Sequence, residues 1–154
     1  MMSWDIFLQA HEDGGVGYFP LSIFFESFGT AITYSKIEGN GCCIVLEYHN
    51  PDAEKYNIVP ISSAEIDIEI ELIDNIQMLS AFSVNRPPGH DDFWQGLCNI
   101  LKVTSSALFW GGDGNCLAVG REETIKHLPE SMIEALGAPT VVSNYQDIFR
   151  MIRS

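Results

Sequence analysis

Acidic and apolar residues alternate without a break along Glu65-Ile66-Asp67-Ile68-Glu69-Ile70-Glu71-Leu72. A repeat of two belongs to a strand with one face buried. The pattern predicts that Ile66, Ile68, Ile70 and Leu72 face a core, with Glu65, Asp67, Glu69 and Glu71 in an acidic row on the opposite face. Alternate residues on a strand lie about 6.6 Å apart, so such a row repels itself. Upstream, Trp4, Ile6 and Leu8 predict one face of a first strand over residues 3–9, and the glycine-rich segment 11–17 predicts a loop. Pro20 suits the first turn of a short helix in which Leu21, Phe24, Phe25 and Phe28 recur at helical spacing, and Gly29 ends it. Segments 33–37 and 42–48 predict two strands joined by Glu38-Gly39-Asn40-Gly41, a hairpin signal because Asn and Gly accept positive φ. A polar connection over 49–56 and an extended piece over 57–60 lead into the acidic strand. Phe82 and Val84 suit a final strand of the same sheet.

The segment Asn85-Arg86-Pro87-Pro88-Gly89 interrupts the pattern. A helix begins at Asp91 or Asp92, whose carboxylates favour a positive helix start, and buries Phe93, Leu97, Ile100 and Leu101 with Trp94 and Cys98 alongside. Segments 107–110 and 116–119 predict a hairpin around Gly111-Gly112-Asp113-Gly114-Asn115. Pro129 and Gly137 bracket a short helix, and 140–142 predicts a short strand. Ser143-Asn144-Tyr145-Gln146 matches a capping box for a terminal helix that buries Ile148, Phe149 and Ile152. The order implies an α+β fold: one domain over 1–154, a mainly antiparallel sheet packed against three to four helices, with a possible subdomain break near 85–90.

Composition changes this picture in one respect. The net charge is −13, and residues 1–77 hold 13 acids against Lys36 and Lys55. That balance argues against bare nucleic acid and against an anionic membrane surface, both of which need Lys and Arg. It permits a basic protein partner, a cation, or simple solubility. The opening residues have no positive n-region, no apolar run approaches a membrane span, and the expected location is cytoplasmic. Cys42, Cys43, Cys98 and Cys116 lack a C-x-x-C spacing and predict reduced thiols, with neither a disulfide nor a zinc site.

No motif names a reaction. Gly111-Gly112-Asp113-Gly114 superficially resembles the GGDEF motif of cyclic-dinucleotide cyclases, but Asn115-Cys116 departs from it and a plain turn accounts for the glycines. His90-Asp91-Asp92 and His11-Glu12-Asp13 are consecutive residues, which do not easily converge on one ion. His49 and His127 have no sequence-near partner. No metal, cofactor or catalytic set is expected. The candidate partner-binding residues are Glu65, Asp67, Glu69, Glu71 and Asp74. The alternatives are a small enzyme with a pocket between sheet and helices, using His49 or His90 as acid–base residue, and an acidic adaptor or assembly subunit.

The start Met2-Ser3-Trp4-Asp5-Ile6-Phe7-Leu8-Gln9 resembles the opening of small bacterial proteins encoded near polymorphic-toxin and secretion-effector genes. The patterns Leu108-Phe109-Trp110, Leu117-Ala118-Val119-Gly120, Leu128-Pro129-Glu130 and Gly137-Ala138-Pro139 look similar to the same group. The resemblance implies a non-enzymatic immunity protein that binds one basic toxin or effector domain and occludes it. It carries no functional residues over to this chain.

Overall fold

The computed structural model describes residues 4–112 and 114–153. Ser3, where the first strand was expected to open, and Asp113 of the glycine-rich loop lie outside the described residues. In chain order the first half holds β1 (Asp5–Glu12), β2 (Gly15–Val16), β3 (Phe19–Pro20), α1 (Leu21–Phe28), β4 (Ile32–Glu38), β5 (Gly41–His49), α2 (Ala53–Tyr56), β6 (Ile61–Glu69) and β7 (Glu71–Ile73). The second half holds β8 (Ile76–Leu79), β9 (Ala81–Asn85), α3 (Asp91–Val103), β10 (Ser106–Trp110), β11 (Leu117–Val119), α4 (Glu130–Leu136), β12 (Thr140–Val141) and α5 (Tyr145–Arg153), with a 3₁₀ segment over Glu122–His127. The fold is α+β.

The strands form three sheets. β1 pairs antiparallel with β9 on one side and β10 on the other, and β2 folds back on its end. β10 continues to β11, which takes β12 in parallel. β4, β5 and β6 make a second, wholly antiparallel sheet, and β3, β8 and β7 a third. Phe82 and Val84 therefore sit in a strand that pairs with β1, not in the acidic sheet; β6 lies beside β9 without a ladder between them.

One apolar core joins the sheets to the helices. α3 buries Phe93, Leu97, Ile100 and Leu101 completely, against Ile6 and Leu8 of β1 and Ile44, Leu46 and Ile66 of the second sheet. Side chains from both sides of Pro87-Pro88 share this core, so that segment connects parts of one unit. A smaller core of Ala107, Leu117, Val119 and Leu128 covers the other face of β10 and β11. Burial on both faces explains why these two strands, Ser106 apart, are apolar instead of alternating.

The local signals are mostly in register. Gly39 at φ +60° carries the β4–β5 turn, so the left-handed position is the glycine before Asn40. α3 starts at Asp91, and its cap is the preceding His90, whose Nδ1 accepts from the Asp92 amide at 3.1 Å. The capping box of α5 falls one residue later than its sequence match. Asn144 Oδ1 accepts from the Asp147 amide at 3.2 Å, and the Asp147 carboxylate accepts from the Ser143 amide at 2.8 Å. The Ser143 amide is the main cause holding the Asp147 carboxyl below its usual range, helped by Asn144 and Arg150. Ile148 is buried as expected, Met151 joins it, and Phe149 and Ile152 are half-buried. β1 runs on through His11 to Glu12, so part of the expected loop is strand. The polar connection before β6 holds the short helix α2, and Trp4 lies outside the strand, stacked on Trp94.

The expected acidic strand breaks at Ile70. Its amide donates to the Asn40 carbonyl, β6 ends at Glu69, and the chain passes into the β7–β8 hairpin of the third sheet. Ile66, Ile68 and Ile70 are buried, but Leu72, on the β7–β8 hairpin, is 68 % exposed.

Gly120 marks the tightest approach between β11 and α3. A Cβ there would collide with the Leu101 carbonyl, and backbone cannot swing aside. Gly120→Ala should therefore destabilise the fold by about 1–3 kcal/mol, the range for overpacking, read as a lower urea midpoint with an unchanged m-value. An unchanged midpoint would show that β11 and α3 can separate freely.

Candidate functional site: the acidic face of the second sheet

Cross-strand register assembles the candidate site. Glu69 pairs with Gly41, Asp67 with Cys43, Glu65 with Val45 and Ser63 with Glu47. On the far side of β5, Gly41 pairs with Glu38, Cys43 with Lys36 and Val45 with Tyr34. Residues directly opposite share a face. Because Cys42, Ile44 and Leu46 point into the core, the outward face carries Glu38, Glu47, Glu65, Asp67 and Glu69 around Cys43, with Lys36 as its base. Lys36 is 2.7 Å from Glu38 across solvent, and Thr33 donates to Glu47 at 2.7 Å. Neither Arg86 nor Arg121 forms an ion pair with the row among the described residues.

Cys43 sits at the centre. Its thiol lies 3.6 Å from Glu65 Oε1, and its Sγ and the carboxylates of Glu65 and Asp67 lie within 4.8 Å of one another. That distance would allow one cation to touch all three. A thiol must lose its proton to bind a metal, and desolvation, then the two carboxylates, push the Cys43 thiol up. At neutral pH the trio is therefore a proton-bearing thiol in an anionic field. A groove of about 240 Å³ beside it is lined by Lys36, Glu38, Cys43 and Asp67. All four cysteines are free thiols.

Two candidate residues leave the row. Glu71 is exposed on β7, where its carboxylate accepts from the Tyr18 hydroxyl and raises that hydroxyl's pKa. Asp74 and Asn75 both have positive φ, at 53° and 65°, between the paired Ile73 and Ile76. They form the tight turn of the β7–β8 hairpin, so backbone geometry accounts for Asp74. The structure adds Glu38 and Glu47, which the linear pattern of β6 does not reveal. The hairpin signal and the period-two pattern of β5 together would have found them.

The histidines of the enzyme alternative meet in a polar cavity of about 480 Å³ between β5, the end of α1 and the start of α3. His49 and His90 both line it, with Glu26, Glu47 and Asp92. The Tyr48 ring stacks on His90 at 5.1 Å, and its buried hydroxyl has no hydrogen-bond partner among the described residues. Burial, then Asp92, raises the Tyr48 hydroxyl pKa. His90 Nδ1 is committed to capping α3.

No protein-family model, curated protein or solved structure matches the chain. Among the described residues, no helix is long and apolar enough to cross a membrane.

Cys43 is a built-in reporter of this field. Glu65→Gln with Asp67→Asn should lower its thiol pKa and speed its alkylation by iodoacetamide at pH 8, because two anions beside the thiolate are removed. Added salt should speed alkylation in the wild type and change the double variant little. Equal rates in both proteins would show that the carboxylates do not act on Cys43.

Proposed function

We propose that the outward face of β4–β5–β6 docks a basic protein surface, and that the chain is an immunity-type protein that occludes a toxin or effector domain in the cytoplasm. The observation that carries this reading is the clustering of Glu38, Glu47, Glu65, Asp67 and Glu69 on one exposed sheet face with Lys36 as its base. Exposed like charges repel in the free protein, and a basic partner turns that repulsion into attraction. The platform is rigid, since Ile44, Leu46, Ile66 and Ile68 beneath it are fully buried, so little ordering is lost on binding. Tyr34, half exposed on the same face, supplies an aromatic anchor of the kind that holds interfaces.

A second reading is an enzyme working in the cavity that His49 and His90 share, and the unpartnered Tyr48 hydroxyl favours it. The commitment of His90 to the α3 cap leaves His49 as the freer acid–base group. The two readings predict different variants to fail.

The test starts with capture of a partner from the native host at low salt, followed by kinetic binding at two ionic strengths. Asp67→Lys with Glu69→Lys should change stability by only about 0.5 kcal/mol. Association should slow, and like charges against a basic groove should cost several kcal/mol of affinity. Higher salt should narrow the difference in association rate. A double variant that binds like wild type at low salt would move the partner site elsewhere, and loss of function in His49→Gln alone would favour the enzyme.

A further inference from the structure

Cationic and donor groups are scarce in this chain, which has eight Lys and Arg against 21 Asp and Glu. Several nevertheless converge where the end of β1, the end of α3 and the 3₁₀ segment meet, around a cavity of about 350 Å³ lined by His11, Ser105, Arg121 and His127. His11 is only 3 % exposed, and among the described residues neither ring nitrogen has a hydrogen-bond partner. The Nε of Arg121 is likewise buried without one, while its Nη2 donates to Ser105 Oγ at 3.0 Å. Arg121 forms no ion pair among the described residues. A buried guanidinium N–H and a buried imidazole without partners are costly, and such groups commonly mark a ligand site.

The walls are set closely. A Cβ on Gly17 would meet the His11 backbone at 2.7 Å, and one on Gly120, beside Arg121, would collide with Leu101. The β1–β2 turn is tied to the 3₁₀ segment: the Gly14 amide donates to the His127 carbonyl at 2.9 Å and the Asp13 amide to His127 Nδ1 at 3.1 Å. With Nδ1 accepting, His127 is left with Nε2 as its donor nitrogen.

We propose that this cavity is a binding site for a small oxyanion of the phosphate class, held by Arg121, His11, His127 and Ser105. Arg and a hydroxyl suit either phosphate or carboxylate. His11 favours phosphate through the second nitrogen of a neutral ring. Burial lowers its pKa, and the backbone of Gly15 only partly opposes this. A neutral imidazole offers one donor and one acceptor nitrogen. Hydrogen phosphate can pair with either, whereas a carboxylate accepts only. The cation beside the ring is Arg121, with Glu12 and Asp13 exposed at the rim.

The experiment is a titration of the wild-type protein with inorganic phosphate, followed by the imidazole resonances of its four histidines. The expected result is saturable movement of His11 and His127, with His49 and His90 still, and a higher His11 titration midpoint in phosphate, because a neighbouring anion favours imidazolium. Arg121→Gln should weaken phosphate binding about tenfold or more, the loss expected for a charged hydrogen bond. If that variant fails to fold, the wild-type titration decides alone. Phosphate that moves none of the histidines, or moves all four alike, would overturn the site, and acetate acting as strongly as phosphate would overturn the assigned class.

Discussion

The isoleucines of β6 cannot be buried without pushing its acids outward. Ile66 and Ile68 pack beneath the second sheet with Ile44 and Leu46 of β5, and all four are essentially inaccessible. Side chains on a strand alternate, so Glu65, Asp67 and Glu69 have one place to go. A slip of one residue would bury three carboxylates and expose Ile66 and Ile68, which fixes the register of β6 against β5. The position of Cys43, its raised thiol and the charge of the whole face follow from that register.

The rest of the fold serves the same core. α3 sits against the inner faces of two sheets and carries the largest block of fully buried side chains. Where it comes close to its neighbours, glycine replaces bulk: Gly96 lies under the Phe28 ring, and Gly120 lies against the Leu101 backbone. The second, smaller core behind β10 and β11 holds the 3₁₀ segment and α4 in place, and with them Arg121 and His127. The acidic face and the cavity around Arg121 are thus both held by the packed cores, and the net charge of −13 conceals a local exception.

Much of the local structure was legible in the sequence because its causes are local. Alternation marked β6, Pro and Gly bracketed α4, Asp91 opened α3, and the segment Glu38-Gly39-Asn40-Gly41 closed the β4–β5 hairpin, though with Gly39 and not Asn40-Gly41 at positive φ. Even the departures were small: a cap displaced by one residue at α5, and an expected loop that is partly strand at His11. Glu65, Asp67 and Glu69 stand exposed as the pattern implied.

The sequence by itself thus determined most of the longer elements, the α+β class and the sign of the exposed face, since each depends on neighbours a few residues away. Only the tertiary structure decided where the acidic row stops. The Ile70 amide turns to Asn40, and Leu72, which continues the pattern perfectly, is left in solvent. Only the structure paired β9 with β1, brought Glu38 and Glu47 to the face, and gave Asp74 to a hairpin turn. The meeting of the Asp13 turn with His127, 114 residues away, has no linear signal at all. Such contacts depend on which surfaces remain uncovered once the core has formed, and a periodicity along one strand carries no record of what will pack over it.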